Sequence, residues 1–451
     1  MFPGLAPSDL GTDVLDALAE YLARAGEPTD NTRIPAGYTY LGQFVDHDIT
    51  FEATSNIGAR NDHRSLLNFR TPRLDLDSLY GGGPADQPFL YDWRDELDDP
   101  GVQLLLDSNP KQSPFAPLDL PRNRQGRALV GDPRNDENVI VAQIHLLFAR
   151  LHNKVIGQVR HDHPQMSCNA VFDEAQRIVR WHYQWIVIHD FLETIVGPEL
   201  MKVIAPNEMA LPGDAAIPVE FSGAAFRFGH SLVRNFYAPR REGESIPILR
   251  PRGEKGEHLG GLRRLRRELK IEWRRFFWDP EYPPEDAVRS MRIDTLLARP
   301  LTLLPPDGAS LAALNLHRGR ALGLPSGLDV AHAIGTDKIL TAAELRPDID
   351  ASSFGLDNWN ALVQSPPLWY YVLLEAQIHG RAIREDGHIA VGGTRLGPVG
   401  GRIVAQVLVG LLERDPHSYL HHQPSWTPDL GKGGDFTMRD LVRLVEGREK
   451  P

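Results

Sequence analysis

Three side chains able to bind or move a proton lie within five residues of one another, at positions 43, 46 and 47. The stretch 38–48 is typical of a short helix, and on a helix residues i, i+3 and i+4 share a face. Gln43, Asp46 and His47 therefore bring an amide, a carboxylate and an imidazole to one site. Asp48 lies about 100° further round the helix, so we expect it to face a second, separate site.

A second reactive group lies in residues 131–138, an Asp-Pro-Arg turn ahead of a long apolar helix. Arg134 and Glu137 are three residues apart and can face one site. Such a turn is most often a simple helix cap, for which Asn135 or Asp136 is available. The turn alone therefore does not identify a functional site.

Three further histidines are candidates for metal binding or for core packing. His145 and His152 lie on the long helix about 10 Å apart, too far for one metal ion. We interpret both as core residues or as residues that support a site without contacting the bound group. His230 lies within the apolar stretch 225–232, where a lone histidine is usually a satisfied core residue.

An acidic loop occupies residues 71–81, where Asp75 and Asp77 alternate with leucines. Alternating acids in a tight polar loop suit a hard cation with oxygen ligands. The plain alternative is a turn that happens to be rich in acids.

The pattern of apolar residues predicts a mainly α protein with long ordered loops and little β structure. No stretch is typical of a linker, so residues 1–451 are predicted to form one large helical domain, with 1–30 as an N-terminal arm or helix. Residues 71–121, rich in Pro, Gly and Asp, are predicted to be a long ordered loop region. Helices are predicted at 12–25, 139–160, 170–195, 221–233, 261–278, 286–299, 309–319, 368–381, 400–414 and 438–446.

Composition restricts the partners and the kind of metal site. The formal charge of −11 argues against nucleic acid as the main partner, because phosphate binding needs a basic surface. The single cysteine, Cys168, permits no intramolecular disulfide and no cysteine-based metal site. No signal sequence is recognisable, and the apolar runs are too short to span a bilayer. The expected location is therefore cytoplasmic. Secretion by a route that uses no signal sequence is the alternative.

Four motifs together resemble those of the animal haem peroxidases, of the peroxidase–cyclooxygenase superfamily, and are closest to bacterial members. They lie at residues 41–48, 131–153, 225–232 and 312–320. The resemblance implies a haem b with His230 as its proximal ligand and His47 on its distal face, because haem iron needs one fixed nitrogen and an open face opposite.

Further roles follow from the same resemblance. Asn315 would accept a hydrogen bond from the other N–H of His230 and so fix its tautomer, and Arg227 and Arg318 would pair with the haem propionates. The plain alternative for each arginine is a surface ion pair. The chain departs from the family after Arg320, where residues 321–323 are Ala-Leu-Gly and the family usually has Asp-His-Gly.

The resemblance also implies a calcium ion and covalent links to the haem. The calcium ligands would be Asp48, Thr71, the carbonyl of Arg73, Asp75 and Asp77. Asp46 and Glu137 match the residues that form ester bonds to haem methyl groups in the family. Their plain alternative is hydrogen bonding at the haem edge. The residue after Glu137 is Asn138 and not Met, so no sulfonium link is expected.

This arrangement predicts reduction of hydrogen peroxide. His47 would move a proton from the oxygen that binds iron to the departing oxygen, and Arg134 would stabilise the charge on that oxygen. Gln43 would bind a water or a small anion. The product would be a ferryl haem that oxidises a small donor, such as halide, thiocyanate or a phenolic compound.

Two other functions stay open. A fatty-acid dioxygenase of the same superfamily needs a tyrosine three residues before the proximal histidine, and that position holds Arg227. A haem- or calcium-binding protein without activity is the second alternative, against which the joint presence of His47, Arg134, His230 and Asn315 argues. A serine hydrolase is excluded because the chain has no Gly-x-Ser-x-Gly turn.

Overall fold

The structure is a computed structural model, and the fold is described from the parts of the chain that it defines. These are residues 1–50, 71–94, 100–107, 119–198, 201, 217–250, 255–281, 283–304, 310–346, 355–381 and 391–447. Within them, ten helices have eight or more residues: α1 Thr12–Arg24, α2 Ala36–Ile49, α3 Val139–Asp162, α4 Cys168–Trp185, α5 Leu311–Ala321, α6 Gly327–Ile334, α7 Leu356–Gln364, α8 Leu368–His379, α9 Pro398–Arg414 and α10 Met438–Glu446.

Shorter helical segments connect these helices. They are Asp77–Tyr80, Pro88–Leu90, Pro133–Asp136, a π-helical turn Ile186–Leu192, Glu193–Val196, Val219–Gly223, Ala225–His230, Arg267–Leu269, Trp273–Phe276, Pro284–Asp286, Arg299–Thr302 and Tyr419–His422. The described strands form two antiparallel pairs, β1 Asp30–Pro35 with β4 Arg289–Met291 and β2 Phe236–Tyr237 with β3 Ile246–Pro247. The predicted mainly α fold with little β structure is confirmed.

The core around the first motif is built from α2, α3 and α4. Helix α3 packs against both α2 and α4, and the rings of Phe44 on α2 and Phe148 on α3 stack with centroids 5.2 Å apart. Tyr183 of α4 packs edge-on against both rings. Such aromatic contacts bury large apolar surfaces and stabilise a fixed crossing of helices. The helix that carries His47 is thereby held rigid.

Helix α3 begins at an asparagine that the sequence analysis did not select as its cap. The side chain of Asn138 accepts hydrogen bonds from the backbone N–H groups of Ile140 and Val141. The prediction that Asn135 or Asp136 caps this helix is therefore wrong, because both side chains bond elsewhere. The most apolar window of α3 would be long enough to cross a membrane, but 83% of it is buried in the protein, as expected for a core helix.

Three predicted helices are replaced by other structure. Residues 221–233 contain two short helical segments, since Ala224 has non-helical angles of φ −139° and ψ −68°. Residues 261–278 contain only short segments, because Gly261 lies directly against the Pro133–Asp136 turn. A Cβ atom on Gly261 would lie 1.8 Å from the carbonyl oxygen of Asp136. Residues 286–299 hold β4, which pairs with β1.

Candidate active site

His47 lies on α2 with its ring almost fully buried, at 4% exposure. Its Nδ1 atom is 2.8 Å from Oδ1 of Asn135. The amide nitrogen of Asn135 donates in turn to Nδ1 of His145, at 3.1 Å. An amide oxygen only accepts hydrogen bonds, so Nδ1 of His47 carries the hydrogen and Nε2 presents a lone pair when the ring is neutral.

The predicted grouping of Gln43, His47 and Glu137 is present in the structure. Nε2 of His47 lies 3.7 Å from Oε1 of Glu137, and the amide of Gln43 donates to the same carboxylate oxygen. Asn138 donates to Oε1 of Gln43 at 2.9 Å. The oxygen and one N–H of the Gln43 amide are therefore already hydrogen-bonded. Asn138 both caps α3 and holds Gln43.

Arg134 reaches the same region but is held by several partners. Its guanidinium donates to the carboxylate of Asp132, with Nη2 2.8 Å from Oδ2. The same nitrogen donates to the carbonyl oxygen of His47 at 3.1 Å and to that of Thr50. Burial opposes the charged form of Asp132, but the hydrogen bonds and charge of Arg134 lower its pKa to about 2. Arg134 thus fixes the end of α2 while placing a positive charge near His47.

Glu137 lies beside His47, and its side chain is 45% exposed. Burial raises the pKa of its carboxyl group; His47 and Arg134 oppose this rise, and the charge of Asp46 adds to it. The carboxylate of Asp46 is therefore close enough to Glu137 to affect its pKa.

A second histidine, the partly buried His230, ends the helical turn Ala225–His230. Its Nδ1 atom lies 3.0 Å from the side-chain nitrogen Nδ2 of Asn315 on α5. A 180° rotation of this amide would bring its oxygen to the same place, and the ring would then donate through Nδ1 and leave the Nε2 lone pair free for a metal. Burial, together with the charges of Arg227 and Arg318, lowers the pKa of His230 to about 3. The ring is therefore neutral at ordinary pH.

The two predicted arginines accordingly lie within electrostatic reach of His230. Nε of Arg227 donates to the carbonyl oxygen of Ser222 at 2.8 Å, which anchors its stem. The turn that ends at His230 packs against α2. The two histidines, 183 residues apart in the sequence, thus lie on elements that contact each other.

Asp48 faces away from His47 into an acidic cluster. Carboxylate oxygens of Asp48, Asp75 and Asp77 lie within 4.8 Å of one another. Asp48 accepts hydrogen bonds from the backbone N–H of Leu76 at 3.1 Å and from Oγ of Ser78 at 3.1 Å. Burial and then the charges of Asp75 and Asp77 raise the pKa of Asp48 well above its usual value. Three adjacent carboxylates need a cation or protons to be stable, and oxygen ligands suit Ca²⁺.

The other predicted calcium ligands differ in how closely they join this cluster. Oγ1 of Thr71 donates to Oδ2 of Asp75 at 3.2 Å. The backbone N–H of Arg73 donates to the carbonyl oxygen of Thr71 at 2.8 Å, while its guanidinium lies 3.9 Å from Asp415. Asp415, which the sequence analysis did not select, adds to the rise in the pKa of Asp75 that burial causes.

A buried ion-pair triad supports the His47 side of the site. Arg122, whose side chain is 2% exposed, donates to Asp136 at 2.7 and 2.8 Å and to Asp119 at 2.8 Å. Asp119 also accepts from the backbone N–H of Leu265. Nothing in the local spacing of Arg122 marks it as part of a site, whereas Asn135 lies in one of the four motifs.

Comparison with known proteins identifies the family to which the chain is related. A family model described as animal haem peroxidase matches residues 53–364, more than half of the chain. Thyroid peroxidase of Rattus norvegicus is 29% identical over 314 residues, which cover 65% of this chain and 33% of that protein. Chorion peroxidase of Drosophila melanogaster is 28% identical over 327 residues, covering 69% and 38%. The chain spans about a third of the length of these curated relatives.

Solved structures of low sequence identity share the fold. Peroxidase A from Dictyostelium discoideum superposes with a TM-score of 0.59 at 15% identity, covering 99% of this chain and 91% of that one. A fatty acid alpha-dioxygenase from Oryza sativa gives a TM-score of 0.60 at 14% identity, covering 98% and 78%. At these identities the comparison establishes the fold and nothing about the reaction.

Proposed function

The chain belongs to the animal haem peroxidase family, and we propose that it binds haem b between His47 and His230 and reduces hydrogen peroxide at the expense of a small electron donor. One observation carries the proposal. Each of the two histidines has its Nδ1 atom held by an asparagine side chain, Asn135 at 2.8 Å and Asn315 at 3.0 Å. An amide oxygen faces His47 and would face His230 after rotation of the Asn315 amide, so that Nε2 of each ring would carry a free lone pair.

The residues around the two histidines are of the types that a haem group needs. His230 is neutral and able to offer Nε2 to iron, and Arg227 and Arg318 bring positive charge suited to propionates. On the His47 side, Asp46 and Glu137 would be the two carboxylates that bond to the ring edge. When bound, haem would supply an iron that accepts an oxygen atom from peroxide and stores oxidising equivalents.

His47 supplies the proton transfer that cleavage of peroxide requires. Its Nε2 lone pair would accept a proton from one oxygen of the peroxide and return it to the other oxygen, which leaves as water. The ring remains in place during both transfers, because Asn135 holds Nδ1. Arg134, bonded to the carbonyl of His47, would offset negative charge as it develops. Glu137 and Asn138 hold the Gln43 amide, and its second N–H would donate to a water or a small anion.

We propose that the acidic cluster binds Ca²⁺ through Asp48, Asp75 and Asp77, with Thr71 and the carbonyl of Arg73 completing the ligand set. Support comes from the mutual proximity of the three carboxylates and from the raised pKa of Asp48. A cation there would hold one side of α2, which would keep His47 fixed on the other side.

The donor is proposed to be a halide, thiocyanate or a small phenolic compound. The dioxygenase alternative is disfavoured because Arg227, anchored to Ser222, occupies the position at which that reaction needs a tyrosine. The arrangement of His47 and Arg134 likewise disfavours a protein that binds haem without activity. The cytoplasmic location, the one-domain organisation and the ester links remain predictions.

Stopped-flow spectroscopy of the haem-loaded protein tests the function. The Soret band of the wild type is expected to change within seconds of mixing with hydrogen peroxide, followed by oxidation of guaiacol. His47→Ala should keep the band and slow its change by about 10² to 10⁴-fold. Near-normal rates in this variant would reject His47 as the base. Oxygen uptake with linoleate and no oxidation of guaiacol would favour the dioxygenase.

A further inference from the structure

We propose that Asn135 is the positioning residue that sets the tautomer of His47, and that His145 acts behind it by fixing which way the Asn135 amide faces. The proposal deepens the proposed function and depends on it for its catalytic consequence. The structural part, which tautomer His47 adopts, is independent of haem and of activity.

The three side chains form a chain of two hydrogen bonds inside the protein. Nδ1 of His145 lies 3.1 Å from the amide nitrogen of Asn135, and the amide oxygen lies 2.8 Å from Nδ1 of His47. Asn135 is fully buried, and His47 and His145 are each 4% exposed. No solvent can therefore compete for these polar atoms, and each must be satisfied by its neighbour.

The direction of the chain follows from what each atom can do. An amide nitrogen only donates, so Nδ1 of His145 must be an acceptor and its ring must be neutral. Burial lowers the pKa of His145 to about 4, which agrees with this requirement. Since the amide nitrogen is committed to His145, the amide oxygen faces His47 and accepts its Nδ1–H. Nε2 of His47 is then left with the lone pair that proton transfer needs.

The surroundings give Asn135 little freedom to reverse this arrangement. Its backbone N–H donates to the carbonyl oxygen of Asp132 at 3.0 Å, which fixes the turn. Asp136, the next residue, is held by Arg122 at 2.7 and 2.8 Å. The ring of His145 packs edge-on against Phe44. A rotation of the amide by 180° would keep both hydrogen bonds only if His47 and His145 both changed tautomer, so the orientation of the amide and the tautomers of the two rings are linked.

Nitrogen-15 NMR of histidine-labelled full-length protein at pH 8 tests the assignment, without any need for bound haem. The two ring nitrogens of a neutral histidine have distinct shifts that report the tautomer, and the His47 signals are identified by their loss in His47→Ala. The wild type is expected to hold His47 as the Nδ1–H form. Asn135→Leu removes the acceptor and should give a mixture of both tautomers, and His145→Phe should shift the signals in the same direction.

Kinetics with hydrogen peroxide provide the second measurement. Asn135→Leu is expected to slow the reaction of the haem-loaded protein by at least about tenfold, and Asn135→Asp to recover most of that loss, because a carboxylate also accepts from Nδ1–H. Asn153→Leu is the matched control. It removes another amide of α3, one that bonds the backbone of Leu104, and should leave both the tautomer and the rate unchanged.

Two results would overturn the proposal: His47 as the Nε2–H tautomer in the wild type, or an unchanged His47 spectrum in Asn135→Leu. An unchanged spectrum in His145→Phe would reject the role of His145. Failure of the proposed function gives a different pattern, in which the wild type does not react with peroxide although Asn135 still sets the tautomer of His47.

Discussion

His47 and Asp48 are adjacent in the chain, yet their side chains enter separate sites on different sides of α2. Nδ1 of His47 lies 2.8 Å from Asn135, whereas Asp48 accepts hydrogen bonds from Leu76 and Ser78 of the acidic loop. One helical turn therefore joins the candidate distal side to the candidate cation site. A substitution or the loss of a cation in the acidic cluster is therefore expected to affect the position of His47.

Calcium should stabilise the wild-type protein, and Asp75→Asn should remove the effect. A ligand at 100 times its dissociation constant stabilises the folded state by about 2.7 kcal/mol. Thermal unfolding is measured with added Ca²⁺ and with chelator, and the wild type should unfold several degrees higher with the ion. Asp162→Asn, at an exposed acid, should behave as the wild type. Identical melting curves for the wild type under both conditions would exclude the site.

Arg122→Met should destabilise the protein by about 3 to 5 kcal/mol, because it leaves Asp119 and Asp136 as buried carboxylates without their cation. Urea unfolding at pH 7 measures the change. Arg124→Met removes an exposed arginine two residues away and should shift the free energy of unfolding by less than about 0.5 kcal/mol. Equal stability of the two variants would show that the triad contributes little.

His152 should make the protein less stable in acid. Its Nε2 donates to the carbonyl oxygen of Val102 at 2.9 Å and its Nδ1 accepts from Tyr80, so the folded state needs the neutral ring. Burial lowers its pKa from 6.5 to about 4. The contribution to stability is complete above about pH 6.5 and is lost as the pH falls toward 4.

At pH 5 this loss amounts to about 2 kcal/mol for His152 alone. His152→Phe should be less stable than the wild type at every pH. Between pH 8 and pH 5, however, its free energy of unfolding should fall by about 2 kcal/mol less than that of the wild type. His163→Gln, at an exposed histidine, serves as the control. A pH dependence in His152→Phe as steep as in the wild type would contradict the assignment.

Asn315 should tune the iron that His230 would hold. Asn315→Asp offers a stronger acceptor to Nδ1–H, makes the imidazole more anionic and should lower the reduction potential of bound haem. Asn315→Leu removes the partner and should weaken haem retention. Potentiometric titration of the haem-loaded variants measures the change. If the reduction potential of Asn315→Asp were equal to or above that of the wild type, Asn315 would not influence the iron through His230.

The sequence predicted the parts of the site that depend on local spacing. The i, i+3 and i+4 positions on α2 correctly grouped Gln43 with His47 and predicted that Asp48 faces a separate site; the family resemblance identified that site as the acidic loop. The helix predicted over 261–278 was wrong because the backbone at Gly261 packs against Asp136, a contact between segments 125 residues apart. The partners of Asn135 and Arg122 arise in the same way, from tertiary contacts that no local pattern contains.

Titration of the purified full-length protein with haem, followed by absorbance, tests the central claim most directly. The wild type should bind one haem per chain with a Soret band typical of histidine ligation, and His47→Ala should do the same. His230→Ala should lose that band or bind haem far more weakly, because the only ligand assigned to the iron is gone. A His230→Ala spectrum and affinity matching the wild type would contradict the account, as would a wild-type protein that binds no haem.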